Sequence, residues 1–264
     1  MKKAVHYFLF AILIACNSTG EQHYALKPPQ AQAVFTDTDS ILKDFSSWYN
    51  YTYYNILLTS DFIALNSDSV QISKPDFLTT MQTGNFVAIK LKNDDIPPVY
   101  KLVEKNIDDQ MIIATMRQMA KDALNNYQQE GTDLPSFSFT DIDNNHFTTN
   151  NTKGKAILLK AWFIKCTACV KEFPELNKLA DQYSNRTDIL FISIALDKRE
   201  DLKKFLATNE FKYKVVPEQE DYLQNRLHIQ SYPTHILVNT RGKIVKIANR
   251  IEEVAPFIEI ALKN

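Results

Sequence analysis

Two cysteines separated by two residues, Cys166 and Cys169 in "WFIKCTACVKEFPEL" (residues 162–176), are the side chains of this chain best suited to chemistry. A helix beginning at Thr167 leaves its first N–H groups unpaired and its positive end toward Cys166, which stabilises a thiolate there and lowers its pKa below about 8.5. Cys169 lies one turn further on, where the two Cα atoms fall within the disulfide window of about 4.4 to 6.8 Å. This reading makes Cys166 a nucleophile and Cys169 a resolving thiol. Two other readings stand beside it. A structural metal site draws about four ligands, usually as two pairs, whereas the chain has one further cysteine, Cys16, and five histidines, none at a metal-like spacing from the pair. Simple packing is the third reading, and the position of the pair at a strand-to-helix junction argues against it.

The compartment decides what such a pair can do. Residues 1–15, "MKKAVHYFLFAILIA", carry two lysines and then a short apolar run, too short to cross a bilayer about 30 Å thick as a helix. They read as an export signal. The run ends at Leu13-Ile14-Ala15-Cys16, which resembles a bacterial lipobox, so Cys16 is expected to be lipidated and to begin the mature chain. Two or more acyl chains anchor a protein stably where one binds only marginally. An exported compartment permits disulfides, and with Cys16 on lipid, Cys166 and Cys169 can pair only with each other or with a substrate. The expected location is the bacterial cell envelope, with the C-terminal domain facing the periplasm. Thirty basic and thirty-one acidic residues leave a net charge of −1, and no basic stripe with interleaved aromatics marks a nucleic-acid surface.

Residues 16–33 are small, polar and proline-bearing, the composition of a tether. Residues 34–131 read as a small α+β accessory domain. Its expected strands are "WYNYTYY", "FIALNSDSVQI" and "NFVAIKLK", its short helix "SKPDFLTTMQTG" is capped by Ser73 and stopped by Gly84, and a long helix has apolar residues at 112, 116, 119, 123 and 127. Residues 132–264 alternate strands ("FSFTD", "AILLKAWF", "ILFISIAL", "HILVN", "KIVKIAN") with helices starting near Thr167, Arg199 and Glu252, which predicts an α/β domain with a central sheet flanked by helices.

"AILLKAWFIKCTACVKEFPELNKLADQY" followed by "SYPTHILVNTRGKIV" resembles the TlpA/ResA-like family of membrane-tethered, thioredoxin-fold thiol–disulfide oxidoreductases, over about 130 residues from Leu134 onward. The shared pattern is an aromatic pair, Trp162 and Phe163, before a C-x-x-C-x-x-E-x-P motif that contains Glu172 and Pro174, and Tyr232-Pro233-Thr234 before a strand. The resemblance implies that Pro233 is a cis-proline facing the cysteines, and that Trp162, Tyr232, Pro233 and Thr234 line a groove where a substrate strand adds edge-on. It implies that Glu172 lies near the cysteines and tunes their protonation, an acid there raising thiol pKa. It also implies an extra α/β element between the cysteines and Pro233, which "DLKKFLATNEFKYKVVPEQEDYLQNRL" can supply.

Three positions depart from the family pattern. Lys160, six residues before Cys166, stands where the family often has Asn; pointing inward beneath Cys169 it would be a buried ammonium that favours thiolate, but the preferred expectation is that its stem runs along apolar surface and its charge reaches solvent. Lys165 replaces a common tryptophan and adds a positive charge beside Cys166. Thr167-Ala168 lacks the usual proline, which leaves the direction of electron flow open. His235 reads as a strand residue rather than a proton carrier. The implied activity is reduction of disulfides in exported proteins, with electrons from a membrane-associated or periplasmic donor and no dissociable cofactor or metal. A thiol peroxidase would need a threonine three residues before its cysteine, where Phe163 stands. A surface lipoprotein that binds a partner through residues 34–131 is the non-enzymatic alternative.

Overall fold

The computed structural model of the chain describes residues 37–91 and 97–263. The stretches expected to be an export signal and a tether, with Cys16, lie outside the described residues. Helix α1 (Thr38–Ile41) leads into α2 (Phe45–Asn55), which contains the tyrosine-rich stretch expected as a strand. Local geometry overrides the β-propensity of tyrosine here. The Asp44 carboxylate caps the helix by accepting from Ser47 N–H at 2.7 Å, and the four-residue spacing turns Trp48 and Thr52 into the core while Tyr49 and Tyr53 stack outside.

Strands β1 (Ile63–Leu65) and β2 (Gln71–Ile72) form a short antiparallel pair ahead of α3 (Lys74–Met81), whose cap is Ser73 as the sequence predicts. Strands β3 (Phe86–Lys90) and β4 (Val99–Glu104) follow, and then α4 (Gln110–Gln129). The sheet runs in the order β2-β1-β4-β3, with β1 and β4 parallel. Its core is Trp48, Phe77, Leu78, Tyr100, Leu102, Ile112 and Met116. Arg117 of α4 donates to the carbonyls of Gln82 and Thr83 at 3.1 and 2.6 Å, capping the end of α3. Gly84 turns the chain there with φ of 88°, a conformation suited to glycine.

The second half begins with the hairpin β5 (Ser138–Thr140) and β6 (His146–Thr148). Central strand β7 (Ala156–Trp162) leads to α5 (Thr167–Lys171) and α6 (Phe173–Gln182). The break between these helices falls where Pro174, lacking an N–H, cannot continue the ladder. Then comes β8 (Ile189–Ala195), followed by α7 (Arg199–Leu206) and β9 (Lys214–Val216), which fall largely within the stretch expected to supply an extra α/β element. A π-helical turn over Tyr222–Arg226 precedes β10 (Thr234–Val238) and β11 (Ile244–Ala248). The helix expected near Glu252 is two 3-10 turns, with Pro256 in the second, and becomes α8 (Ile258–Lys263) only afterwards. The sheet order is β11-β10-β7-β8-β9, with β7, β8 and β9 parallel and β10 antiparallel to both neighbours. Helices cover both faces, which is the thioredoxin fold.

The two halves share one compact unit. Backbone bonds join Gly131 N–H to the Ile244 carbonyl at 2.8 Å and Ile244 N–H to Thr132 at 2.9 Å, so the end of α4 is tied to the edge strand β11. The Glu253 carboxylate accepts from both Thr59 and Ser60 hydroxyls at 2.6 Å. Among the described residues no helix is long and apolar enough to cross a membrane.

Candidate active site

Strand β7 delivers the motif to the carboxyl edge of the sheet. The loop after it is pinned by the Asp197 carboxylate, which accepts from Ile164 N–H at 2.7 Å. Cys166 is the N-cap of α5, and its sulfur accepts from Cys169 N–H at 3.2 Å. The pair is joined as a disulfide with Cα atoms 5.2 Å apart. Cys166 retains 8% of its surface and Cys169 none, so an approaching sulfur meets Cys166 first. Lys165 is exposed beside it.

The Tyr232–Pro233 peptide bond is cis, and both residues line one cleft with Thr167 and Ala168. Tyr232 packs edge-on against Phe163 with ring centroids 5.5 Å apart. Two residues expected along the groove lie beneath it instead. Trp162 is fully buried against Phe173 and Phe211, because the central strand is covered on both faces. Thr234 is also buried; its hydroxyl donates to the Ser231 carbonyl at 2.7 Å and accepts from Asn249 Nδ2 at 3.1 Å, which braces the proline loop.

Lys160 does not reach solvent. It is fully buried, and its ammonium is bonded to Glu172 Oε2. The reason lies in register: β10 runs antiparallel to β7 with His235 directly opposite Lys160, so both side chains lie on one face and meet the carboxylate at the α5–α6 break. His235 Nε2 lies 3.2 Å from the same Oε2. A carboxylate only accepts, which fixes the N–H of a neutral imidazole on Nε2. Burial opposes the charge on Glu172, but the bonds from His235 and Lys160 outweigh it and hold the carboxyl below its ordinary pKa. Burial lowers the Lys160 pKa, offset in part by Glu172. Burial and the Lys160 ammonium lower that of His235, which stays neutral at pH 7. The site therefore holds a buried ion pair with a neutral imidazole on its carboxylate. Sequence reasoning missed the place of His235 in this group, since only strand register reveals it.

Residues 131–247 match the sequence model of the AhpC/TSA family. The thiol-disulfide oxidoreductase ResA of Bacillus cereus is 27% identical over 119 residues, covering 45% of this chain and 68% of that protein. ResA of Bacillus subtilis is 28% identical over 122 residues, covering 45% of this chain and 66% of that one. The thioredoxin domain of a thiol-disulfide oxidoreductase from Bacteroides vulgatus aligns with 28% identity and a TM-score of 0.45, over 50% of this chain and 97% of that structure. The family match begins at residue 131, and the chain spans about two thirds of the length of the ResA proteins it matches. The C-terminal half has the thioredoxin fold, and its likeness to the ResA proteins supports thiol–disulfide oxidoreductase activity.

Proposed function

We propose that the protein is a lipid-anchored reductase of disulfides in exported proteins, working through the Cys166–Cys169 dithiol. The observation that carries this reading is the asymmetry of the pair: an outward sulfur at a helix N-cap and a fully buried one behind it. In the forward step the Cys166 thiolate attacks a substrate disulfide, forming a mixed disulfide and expelling one substrate thiolate. Cys169 then attacks Cys166 Sγ and expels the second substrate thiolate, which takes up the proton that Cys169 gives up. The substrate gains two electrons, Cys166 and Cys169 become the disulfide, and a membrane-associated or periplasmic dithiol donor restores them. The dithiol is its own two-electron carrier, so the step needs no dissociable cofactor.

Electrostatics support the reducing direction. A strong oxidant stabilises its thiolate form, for which an isolated buried cation would serve. Here the Lys160 ammonium is neutralised by Glu172. Equilibrating the chain lacking residues 1–16 in graded thiol buffers and trapping free thiols is expected to give a potential near that of thioredoxin, about −270 mV; a value near about −120 mV would reverse the assigned direction. The envelope location rests on the lipobox-like stretch ending at Cys16. Cys16→Ser is expected to release the protein from membranes, as read by fractionation, and retention in the membrane pellet would refute the anchor.

A further inference from the structure

The disulfide-bearing loop opens onto a cleft of about 860 Å³ whose floor includes Thr167, Ala168, Tyr232 and Pro233 and whose far wall comes from the first half of the chain. That wall is α2, with Tyr49, Tyr53 and Tyr54, joined by Met119 and Asp122 of α4. The tyrosines are unusual for a surface: 42, 47 and 74% exposed respectively, they form a ladder rather than a core. Tyr49 stacks on Phe45 at 5.7 Å and on Tyr53 at 6.2 Å, and Tyr54 meets Tyr53 edge-on at 5.0 Å. Such stacking fixes the rings before any ligand arrives, so they offer contact area at small entropic cost.

The wall is also held in place against the redox site. Asp122 accepts a hydrogen bond from Ser231, the residue before Tyr232. Arg250 lies 4.3 Å from the Tyr53 ring centroid and donates to the Tyr53 carbonyl. The charge of the cleft is one-sided. Glu175 and Glu252 have no ion-pair partner among the described residues, and partial burial together with Glu252 and Glu172 raises the pKa of Glu175. The lining cations are Lys171 and Arg250, of which Arg250 is engaged with Tyr53. Electron-rich ring faces beside unpaired carboxylates make a cation-selective surface.

We infer that α2 and this acidic rim form the second wall of the substrate groove and select an extended polypeptide with lysine or arginine flanking its disulfide-bonded cysteine. The inference rests on the thiol–disulfide reading above and names its substrate class. The partner's sulfur meets Cys166, its backbone lies along the proline loop, and its basic side chain lies over Tyr54 toward Glu252.

Reduction kinetics of the full chain with three substrates test this: two disulfide peptides identical except for arginine or glutamate flanks, and the small neutral hydroxyethyl disulfide. The arginine peptide is expected to have kcat/KM about tenfold above the glutamate peptide, a difference of about 1.4 kcal/mol, and the gap should narrow at high salt. Tyr54→Ala combined with Glu252→Gln, both at exposed positions, should bring the peptide ratio to within about twofold, chiefly through KM. Equal rates for the two peptides with the unaltered protein, or a preference that survives the double substitution, would overturn the inference and leave the oxidoreductase standing. Failure to reduce any of the three would overturn the oxidoreductase reading beneath it.

Discussion

Cys169→Ser is expected to turn the protein from a catalyst into a covalent trap. Cys166 would still attack a substrate disulfide, since its position at the N-cap of α5 and its partial exposure are untouched. The mixed disulfide would then have no internal thiol to resolve it. Turnover should fall by several orders of magnitude, as it does when members of a catalytic unit are removed singly, while protein-linked adducts accumulate on non-reducing gels and map by mass spectrometry to Cys166. Cys166→Ser should show the converse. The remaining thiol at Cys169 is fully buried, so neither turnover nor adducts are expected. Adducts forming through Cys169 would reverse the two roles.

The placement of the cysteine pair at a helix N-terminus is legible because it depends on local spacing. The C-x-x-C pair, the helix start at Thr167 and Pro174 lie within nine residues, and the dipole argument needs nothing else. Pro233 could be matched from its neighbours Tyr232 and Thr234. Failures came where the answer depends on which strand lies beside which. Lys160 sits on a strand buried on both faces, with no route for its stem to reach water, and its counterion comes from a helix break twelve residues on. The pairing of His235 with Lys160 across β10 and β7 is a property of register alone. The family resemblance puts Trp162 and Thr234 on the groove, whereas both lie beneath it because β7 and β10 are covered on both faces.

The tyrosine-rich stretch shows a different limit. Its composition favours a strand, yet Asp44 as a cap and the i, i+4 spacing of Trp48 with Thr52 and of Tyr49 with Tyr53 were signals of a helix already present in the sequence. The wall that α2 contributes to the cleft is encoded in that spacing and not in the composition of the stretch. The contact between Asp122 and Ser231 joins residues 109 positions apart, a separation no local pattern encodes.

The largest stability effect is expected at the buried ion pair. With Lys160 fully buried and Glu172 18% exposed, Glu172→Gln removes the counterion and strands an ammonium in the core, which costs about 3 to 5 kcal/mol. For a unit of this size that lowers Tm by about 10 °C. Lys160→Met combined with Glu172→Gln removes both charges and should recover most of the loss, because a buried pair replaced by apolar volume is often neutral or stabilising. Thermal melts of the oxidised protein decide it; an unchanged Tm in Glu172→Gln would mean that the lysine charge has another outlet. The same cluster sets the acid limb of stability. The folded pKa of His235 is depressed, so its contribution is complete above the unfolded value of about 6.5 and erodes as pH falls, the unfolded chain taking up a proton that the buried imidazole refuses. Glu172, also depressed, adds its loss only below about pH 4.3. Stability should therefore fall first as pH drops below about 6.5, by up to about 1.4 kcal/mol per pH unit, with Tm falling alongside it, and His235→Gln should flatten that limb while leaving the steeper one below it. A limb unmoved by His235→Gln would show that the imidazole takes up its proton in the folded state as readily as in the unfolded one.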